Sequence, residues 1–199
     1  SVYAVQAGEK ETDFRSYLLK AKATNPDALV CSGLVDETVR CLVQSYEVGI
    51  PKSVARVANS VASKVEVPTN AGKAAVGVSY AAAFAASDTR PIAKKFVKHI
   101  KSRYGVVPGH DFSQMEDLLT MLKPALEKAE KRFSGDLASD RKAVRDSIAG
   151  ITNFTGLASG PISFCAAGSP ECRDGNRTPV MIEYTKGCLL YTSDAADDC

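Results

Sequence analysis

Tryptophan is absent from the 199 residues, histidine occurs twice and methionine three times. His99 and His110 stand beside no cysteine and no candidate nucleophile. Histidine-activated nucleophilic catalysis and a Cys/His zinc site therefore both lack their parts. No cysteine pair has C-x-x-C spacing. The dinucleotide signature G-x-G-x-x-G, the phosphate loop G-x-x-x-x-G-K-[ST] and the nucleophile elbow G-x-S-x-G are all missing. Gly72-Lys73 in AGKAAVG has neither the upstream glycine nor the following Ser/Thr of a phosphate loop. The residues thus imply no catalysis, no cofactor and no metal. Nor does any run of about 18 apolar residues exist that could span a bilayer. SVYAVQAG starts directly in a strand-like run, so targeting information is absent rather than negative.

Excess charge is missing too. The 25 Lys and Arg face 23 Asp and Glu, a formal net charge of +2, and so mild a balance does not point to nucleic acid. Asp36-Glu37 and Glu116-Asp117 are carboxylate pairs, but each adjoins a helix start, where they read as helix-terminal charges. Of the six cysteines, Cys31 and Cys41 lie in apolar runs and read as inert core residues. Cys165 and Cys172 flank a Gly-Ser-Pro turn that can bring them together as a disulfide in an oxidising compartment.

What is present in the first half is an alternation of strands and helices. VYAVQA has the length of a strand. Thr12 and Asp13 then precede a helix carrying Phe14, Leu18 and Ala21 at spacings of four and three. Asn25-Pro26-Asp27 stops that helix, because the residue before proline avoids the helical region. ALVC is a continuous apolar run, as in a parallel strand buried on both faces. Ser32-Gly33 turns into a second helix whose inner face is Val39, Leu42, Val43 and Tyr46. Gly49 ends it as a left-handed cap residue before Ile50-Pro51. SVARVA and AAVGVSYAAAF supply further strands. Strands separated by helix-length segments predict an α/β fold with a mostly parallel sheet.

After Phe84 the pattern turns helical. Pro91 opens a helix with the stripe Ile92, Phe96, Val97 and Ile100, ended by Gly105. Lys94, Lys95, Lys98, Lys101 and Arg103 cover its other faces, a solvated surface rather than a phosphate patch. A longer helix over about 113–132 presents Leu118, Leu119, Leu122 and Leu126 inward, with Pro124 inside it. A third starts at Ser139 or Asp140 and carries Val144 and Ile148. These stripes have no sheet of their own, so their cover is expected in residues this chain lacks. GPISF and RTPVMIEYTKG read as two returning strands.

The last twelve residues, CLLYTSDAADDC, have no hydrophobic period. Cys188 to Asp197 back-translates into one strand of a transposase-type sequencing adapter. The tail is therefore expected to be read-through with no regular structure, the alternative being a genuine polar terminus.

Taken in order, TDFRSYLLKAKATNPDALVCSG (residues 12–33), LVQSYEVGIP (42–51), AGKAAVGV (71–78), FVKHIKSRYGVVP (96–108), ALEKA (125–129) and GPISF (160–164) carry a resemblance. They are similar to the second half of the branched-chain-amino-acid-type (leucine/isoleucine/valine-binding) solute-binding proteins of ABC importers. The resemblance covers residues 1–187. It implies a two-lobed type I periplasmic-binding-protein fold whose Rossmann-like lobes close on a small ligand. Residues 1–84 would form most of lobe two and 85–160 the helical part of lobe one. Residues 161–187 would return to lobe two, leaving 188–199 as the adapter-derived tail.

The implied function is an extracytoplasmic, periplasmic receptor, lipid-anchored in some arrangements, that delivers solute to ABC transporter membrane subunits. The alternative is a ligand-sensing domain of a regulator. Ligands of open α/β sheets sit beyond the carboxyl ends of the strands. Those ends are Ser32, Gly33 and Leu34 after ALVC, and Asn59 and Ser60 after SVARVA. Family members that bind amino acids carry a glutamate on the second loop, where this chain has Asn59-Ser60. An amide, a urea-like compound or an aromatic acid then suits the neutral wall at least as well as an amino acid. A plain turn at Asn59-Ser60 is the competing reading.

Overall fold

The continuous apolar runs become the strands of one sheet, and the periodic segments between them become helices. A computed structural model describes residues 2–6, 8, 11–158, 160–164 and 178–185, together with the backbone of Cys188–Tyr191. The chain divides into two compact units, Ser1–Ser87 with Met181–Cys199, and Asp88–Val180.

In the first unit the order is α1 (Arg15–Ala23), β1 (Ala28–Cys31), α2 (Val35–Glu47) and β2 (Ala55–Ala58). A 3-10 turn (Ser60–Ser63), the short helix α3 (Glu66–Ala71), a second 3-10 turn (Gly72–Ala74) and β3 (Val78–Ala82) follow. Later in the chain β4 (Val180–Thr185) and β5 (Cys188–Tyr191) complete a five-stranded sheet of order β1-β2-β3-β4-β5. β1 and β2 pair in parallel, as do β2 and β3, so the predicted α/β lobe is what forms.

Local chemistry fixes the helix ends. Asn25 adopts a left-handed φ of 48° just before Pro26 and closes α1. At the end of α2, Gly49 has φ 70°. Its N–H donates to the Tyr46 carbonyl, and the Ile50 N–H donates to the Ser45 carbonyl. That is a Schellman motif, which a side chain at Gly49 would strain. α1 begins differently from the Thr12/Asp13 cap expected. The buried Gln44 of α2 accepts the Phe14 N–H at 2.6 Å and donates to the Thr12 carbonyl at 2.9 Å. Phe14, Leu18, Ile50 and Val54 form a core cluster at this junction. Burying each contributes about 1.5–3 kcal/mol.

Three expectations in this unit are overturned. Val2 to Gln6 make no strand, and Val2 is 93% exposed. An apolar run becomes a strand only with a ladder to join, and β1 takes β2 as its partner. Cys188–Tyr191 is a strand, not structureless chain: it pairs antiparallel with β4 in the register Ile182↔Tyr191 to Thr185↔Cys188. The free edge of β4 accepts any extended backbone lying beside it, whatever its coding origin. Cys31 and Cys41, read as inert, are joined in a disulfide with Cα atoms 5.8 Å apart. The end of β1 and the middle of α2 face one another within disulfide reach. Cys165, Cys172 and residues 192–199 lie outside the described residues.

At the far side of the sheet Tyr80 of β3 and Tyr184 of β4 pack with ring centroids 5.5 Å apart. The Tyr184 hydroxyl donates to the Ala62 carbonyl of the first 3-10 turn.

The second unit holds α4 (Pro91–Tyr104), α5 (His110–Glu130) and α6 (Leu137–Ala149). Pro91 occupies the first turn of α4, and Gly105 ends it in the left-handed region. α6 starts two residues before Ser139, because Asp136 caps it by accepting the Ser139 N–H at 2.8 Å. The inward face of α5 is Ser113, Asp117, Met121, Ala125 and Ala129, a four-residue repeat. The leucines are a correction: Leu118, Leu119 and Leu126 are exposed, and Leu122 is only half-buried. Small side chains let α5 approach α6, its strongest packing partner, which turns the leucine face outward.

Asp117 is 3% exposed and accepts the Leu157 and Ala158 N–H groups at 2.7 and 2.8 Å. Gly156 beside it has no room for a side chain, since an added Cβ would lie 2.1 Å from Asp117 Oδ1.

Two predictions follow from this packing. Asp117→Ala leaves two buried donors unsatisfied and should destabilise the chain by about 3 kcal/mol in urea unfolding. A loss below about 1 kcal/mol would show that water replaces the carboxylate there. The tyrosines give a pH dependence. Burial pushes Tyr80 from 10.0 up to about 12, and burial with the neighbouring Tyr80 pushes Tyr184 up as well. Both protons are held in the folded state and released by the unfolded chain above its ordinary value. The contribution is therefore complete below pH 10 and is lost as pH rises toward about 12. Unfolding at pH 8 and pH 11 should show a smaller loss for Tyr80→Phe than for the wild type; equal losses would contradict the assignment.

Candidate functional site

The register of β1 with β2 sets Cys31 opposite Ala58. The next residues of each strand, Ser32 and Asn59, therefore leave the sheet side by side at its carboxyl end. All five residues singled out from the sequence sit there. Ser32, Gly33 and Leu34 link β1 to α2, with Leu34 as the residue before the first turn. Asn59 precedes the 3-10 turn that Ser60 opens.

One hydrogen bond joins the two loops. Asn59 Nδ2 donates to the Gly33 carbonyl at 2.9 Å. Gly33 must be glycine because an added Cβ would lie 2.8 Å from Glu37 Cβ, a distance that forces α2 or the loop to move. Leu34 is 72% exposed, an apolar side chain standing free at the loop tip. Asn59 Oδ1 and Glu37 Oε2 are both shielded from solvent and have no hydrogen-bond partner among the described residues. Buried polar atoms in that condition are uncommon and call for a donor.

A cavity of about 480 Å³ opens beside the first loop. Tyr3, Val5, Phe14, Tyr17, Leu29 and Val30 make its apolar walls, while Ser32, Gly33, Leu34 and Glu37 form its rim. Among the described residues no lysine or arginine lines it, and Glu37 is the one acidic side chain. Asn59 and Ser60 do not reach this cavity; they flank Gly33 from the β2 side. Glu37 was read from the sequence as a helix-terminal charge, and it does lie in the first turn of α2. The signal for a second role was its spacing, four residues after Gly33, which brings it under the loop. Among the described residues no group of three or more His, Cys, Asp or Glu could hold a metal ion. What the described residues offer here is acceptor oxygens beside an apolar wall.

Comparison with known proteins gives the family and the fold. The Periplasmic binding protein family matches residues 2–172. A leucine binding protein, LivK, from Thermotoga maritima superposes with a TM-score of 0.78 at 25% identity, over 95% of this chain and 50% of that one. A branched-chain amino acid transporter substrate binding protein, LivJ, from Streptococcus pneumoniae in complex with isoleucine gives 0.70 at 21% identity, covering 91% and 48%. A solute binding protein from R. palustris in complex with benzoate gives 0.71 at 17%, covering 94% and 48%. No curated protein matches the chain. The chain spans about half the length of the solved structures it resembles. Members of the family are ligand-binding and transport modules, not enzymes. The chain belongs to the periplasmic binding protein family and carries one lobe of its type I, α/β solute-binding fold.

Proposed function

We propose that this chain supplies one wall of the cleft in an extracytoplasmic receptor that hands a small polar solute to the membrane subunits of an ABC importer. The observation that carries the reading is the junction of the two strand-end loops, Asn59 Nδ2 on the Gly33 carbonyl, with Asn59 Oδ1 left unpaired. Ser32, Gly33, Leu34, Asn59 and Ser60 are the proposed contact residues, with Glu37 added. Ligands of open α/β sheets gather at this end of the strands, and two-lobed receptors close on them by hinge motion.

The donors and acceptors indicate the class of solute. Gly33 takes one of the two Asn59 amide N–H donors, and the buried polar atoms left unpaired at the loop are acceptors: Asn59 Oδ1 and Glu37 Oε2. A solute bearing N–H donors fits that set, whether an amide, a urea-like compound or an amino acid through its ammonium. An aromatic acid presenting only a carboxylate fits it less well, because no cation among the described residues lines the cavity. Exposed Leu34 suits a short apolar portion. The Cys31–Cys41 disulfide supports an oxidising, extracytoplasmic compartment.

Titration calorimetry against leucine, isoleucine, acetamide, urea and benzoate tests the reading. This chain alone should bind none of them at micromolar strength, since one lobe makes half the contacts and excludes water from neither side. The receptor that includes the other half of the fold should bind an N–H-bearing member with micromolar Kd. There Asn59→Ala should weaken binding by about tenfold, the worth of one hydrogen bond to a polar group. Micromolar binding by this chain alone, or an unchanged Kd in the Asn59→Ala receptor, would contradict the proposal.

A further inference from the structure

The Cys31–Cys41 disulfide closes a short loop, and that loop contains the solute-facing turn. Cys31 is the last residue of β1 and only 1% exposed. Cys41 lies ten residues later on α2 and packs against the core cluster of Phe14, Leu18, Ile50 and Val54. Between them run Ser32, Gly33 and Leu34, and then Glu37. Both sulfur-bearing residues line the same cavity as that turn.

The turn has little else to hold it. Ser32 and Leu34 are exposed. Among the described residues its hydrogen bonds are the Asn59 amide to the Gly33 carbonyl at 2.9 Å and the Thr38 N–H to the Leu34 carbonyl at 2.9 Å. Gly33, the pivot, has the least side-chain restraint of any residue. β1 is moreover an edge strand of the sheet, paired among the described residues with β2 alone. Without a covalent tie, α2 and the end of β1 could separate by a loop rearrangement that leaves the remaining sheet intact.

We infer that the Cys31–Cys41 disulfide is a positioning device for the solute-facing turn, holding Ser32–Leu34 and Glu37 at a fixed distance from the sheet. Its function is pre-organisation: a turn already in its bound geometry loses less freedom when a solute arrives. The bond forms when the two thiols give up two protons and two electrons to an exogenous disulfide donor, in the compartment where such donors act. The inference rests on reading this turn as solute-facing, but the restraint itself is measurable with no solute present.

Peptide mapping of the whole chain without reductant should recover the Cys31 and Cys41 peptides linked. Hydrogen exchange should then be compared between the wild type and Cys31→Ala/Cys41→Ala. Amides of residues 32–38 are expected to exchange about tenfold faster in the variant, while those of β2 and β3 stay within about twofold. Should the variant not fold, the folded wild type treated with a phosphine reductant is measured instead. An absent linked peptide overturns the inference. So does uniform acceleration across β2 and β3, which would make the disulfide a general stabiliser, and so does unchanged exchange at 32–38. None of these outcomes depends on the solute panel, so a failed ligand assignment and a failed positioning role are told apart.

Discussion

The parallel pairing of β1 with β2, in which Cys31 stands opposite Ala58, is the constraint on which the rest of the site depends. Parallel strands must leave the sheet at the same end, so their following loops are brought together by topology alone. A shift of one residue would carry Asn59 away from the Gly33 carbonyl and turn Cys31 off α2. The register is held because β1 ends on a buried cysteine while β2 buries Arg56 and Ala58 on alternate positions. Arg56 is stabilised there by donating to the Ile50 carbonyl at 2.9 Å, and burial lowers its pKa.

From that register a chain of local devices fixes the two loops. The first is bounded by Cys31 and by the start of α2, where Gly33 leaves space for Glu37. The second continues into the 3-10 turn Ser60–Ser63, whose Ala62 carbonyl is held by Tyr184 from β4. A strand from the far end of the sequence thus steadies a turn near its beginning. The same unit anchors α1 through Gln44, a polar side chain buried among apolar neighbours because both ends of its amide are used. The Tyr184 and Gln44 bonds each satisfy a backbone group that the sheet and helices leave open.

Much of this was legible in the sequence. ALVC, SVARVA and the run through Val78 are continuous apolar stretches, and such stretches in an alternating α/β pattern have few alternatives to parallel strands. The burial on both faces expected of ALVC is not met, because β1 lies at the sheet edge and buries only Cys31. Gly49 before Ile50-Pro51 gave the end of α2 because only a left-handed residue completes its cap. The position of the five loop residues at the strand ends was legible because those ends are fixed once the strands are. Other features depend on partners that periodicity does not reveal. VYAVQA has strand composition but no ladder. The leucines of α5 look like its inner face by hydrophobicity, yet Ser113, Asp117 and three slim or flexible residues pack inward because close approach to α6 and the loop at Leu157 rewards them. Cys31 and Cys41 carry no motif, and only the fold shows that strand end and helix face each other. That Glu37 lines the cavity was not legible, because its place in the first turn of a helix already accounts for its charge.

The central claim is that solute meets the chain at the carboxyl ends of β1 and β2. A crystal structure of the complete two-lobed receptor with its solute bound tests it most directly. The account predicts solute N–H groups within hydrogen-bond distance of Asn59 Oδ1 and an apolar portion of the solute against Leu34. A solute seated elsewhere in the receptor, with Ser32–Leu34 and Asn59–Ser60 untouched, would contradict it.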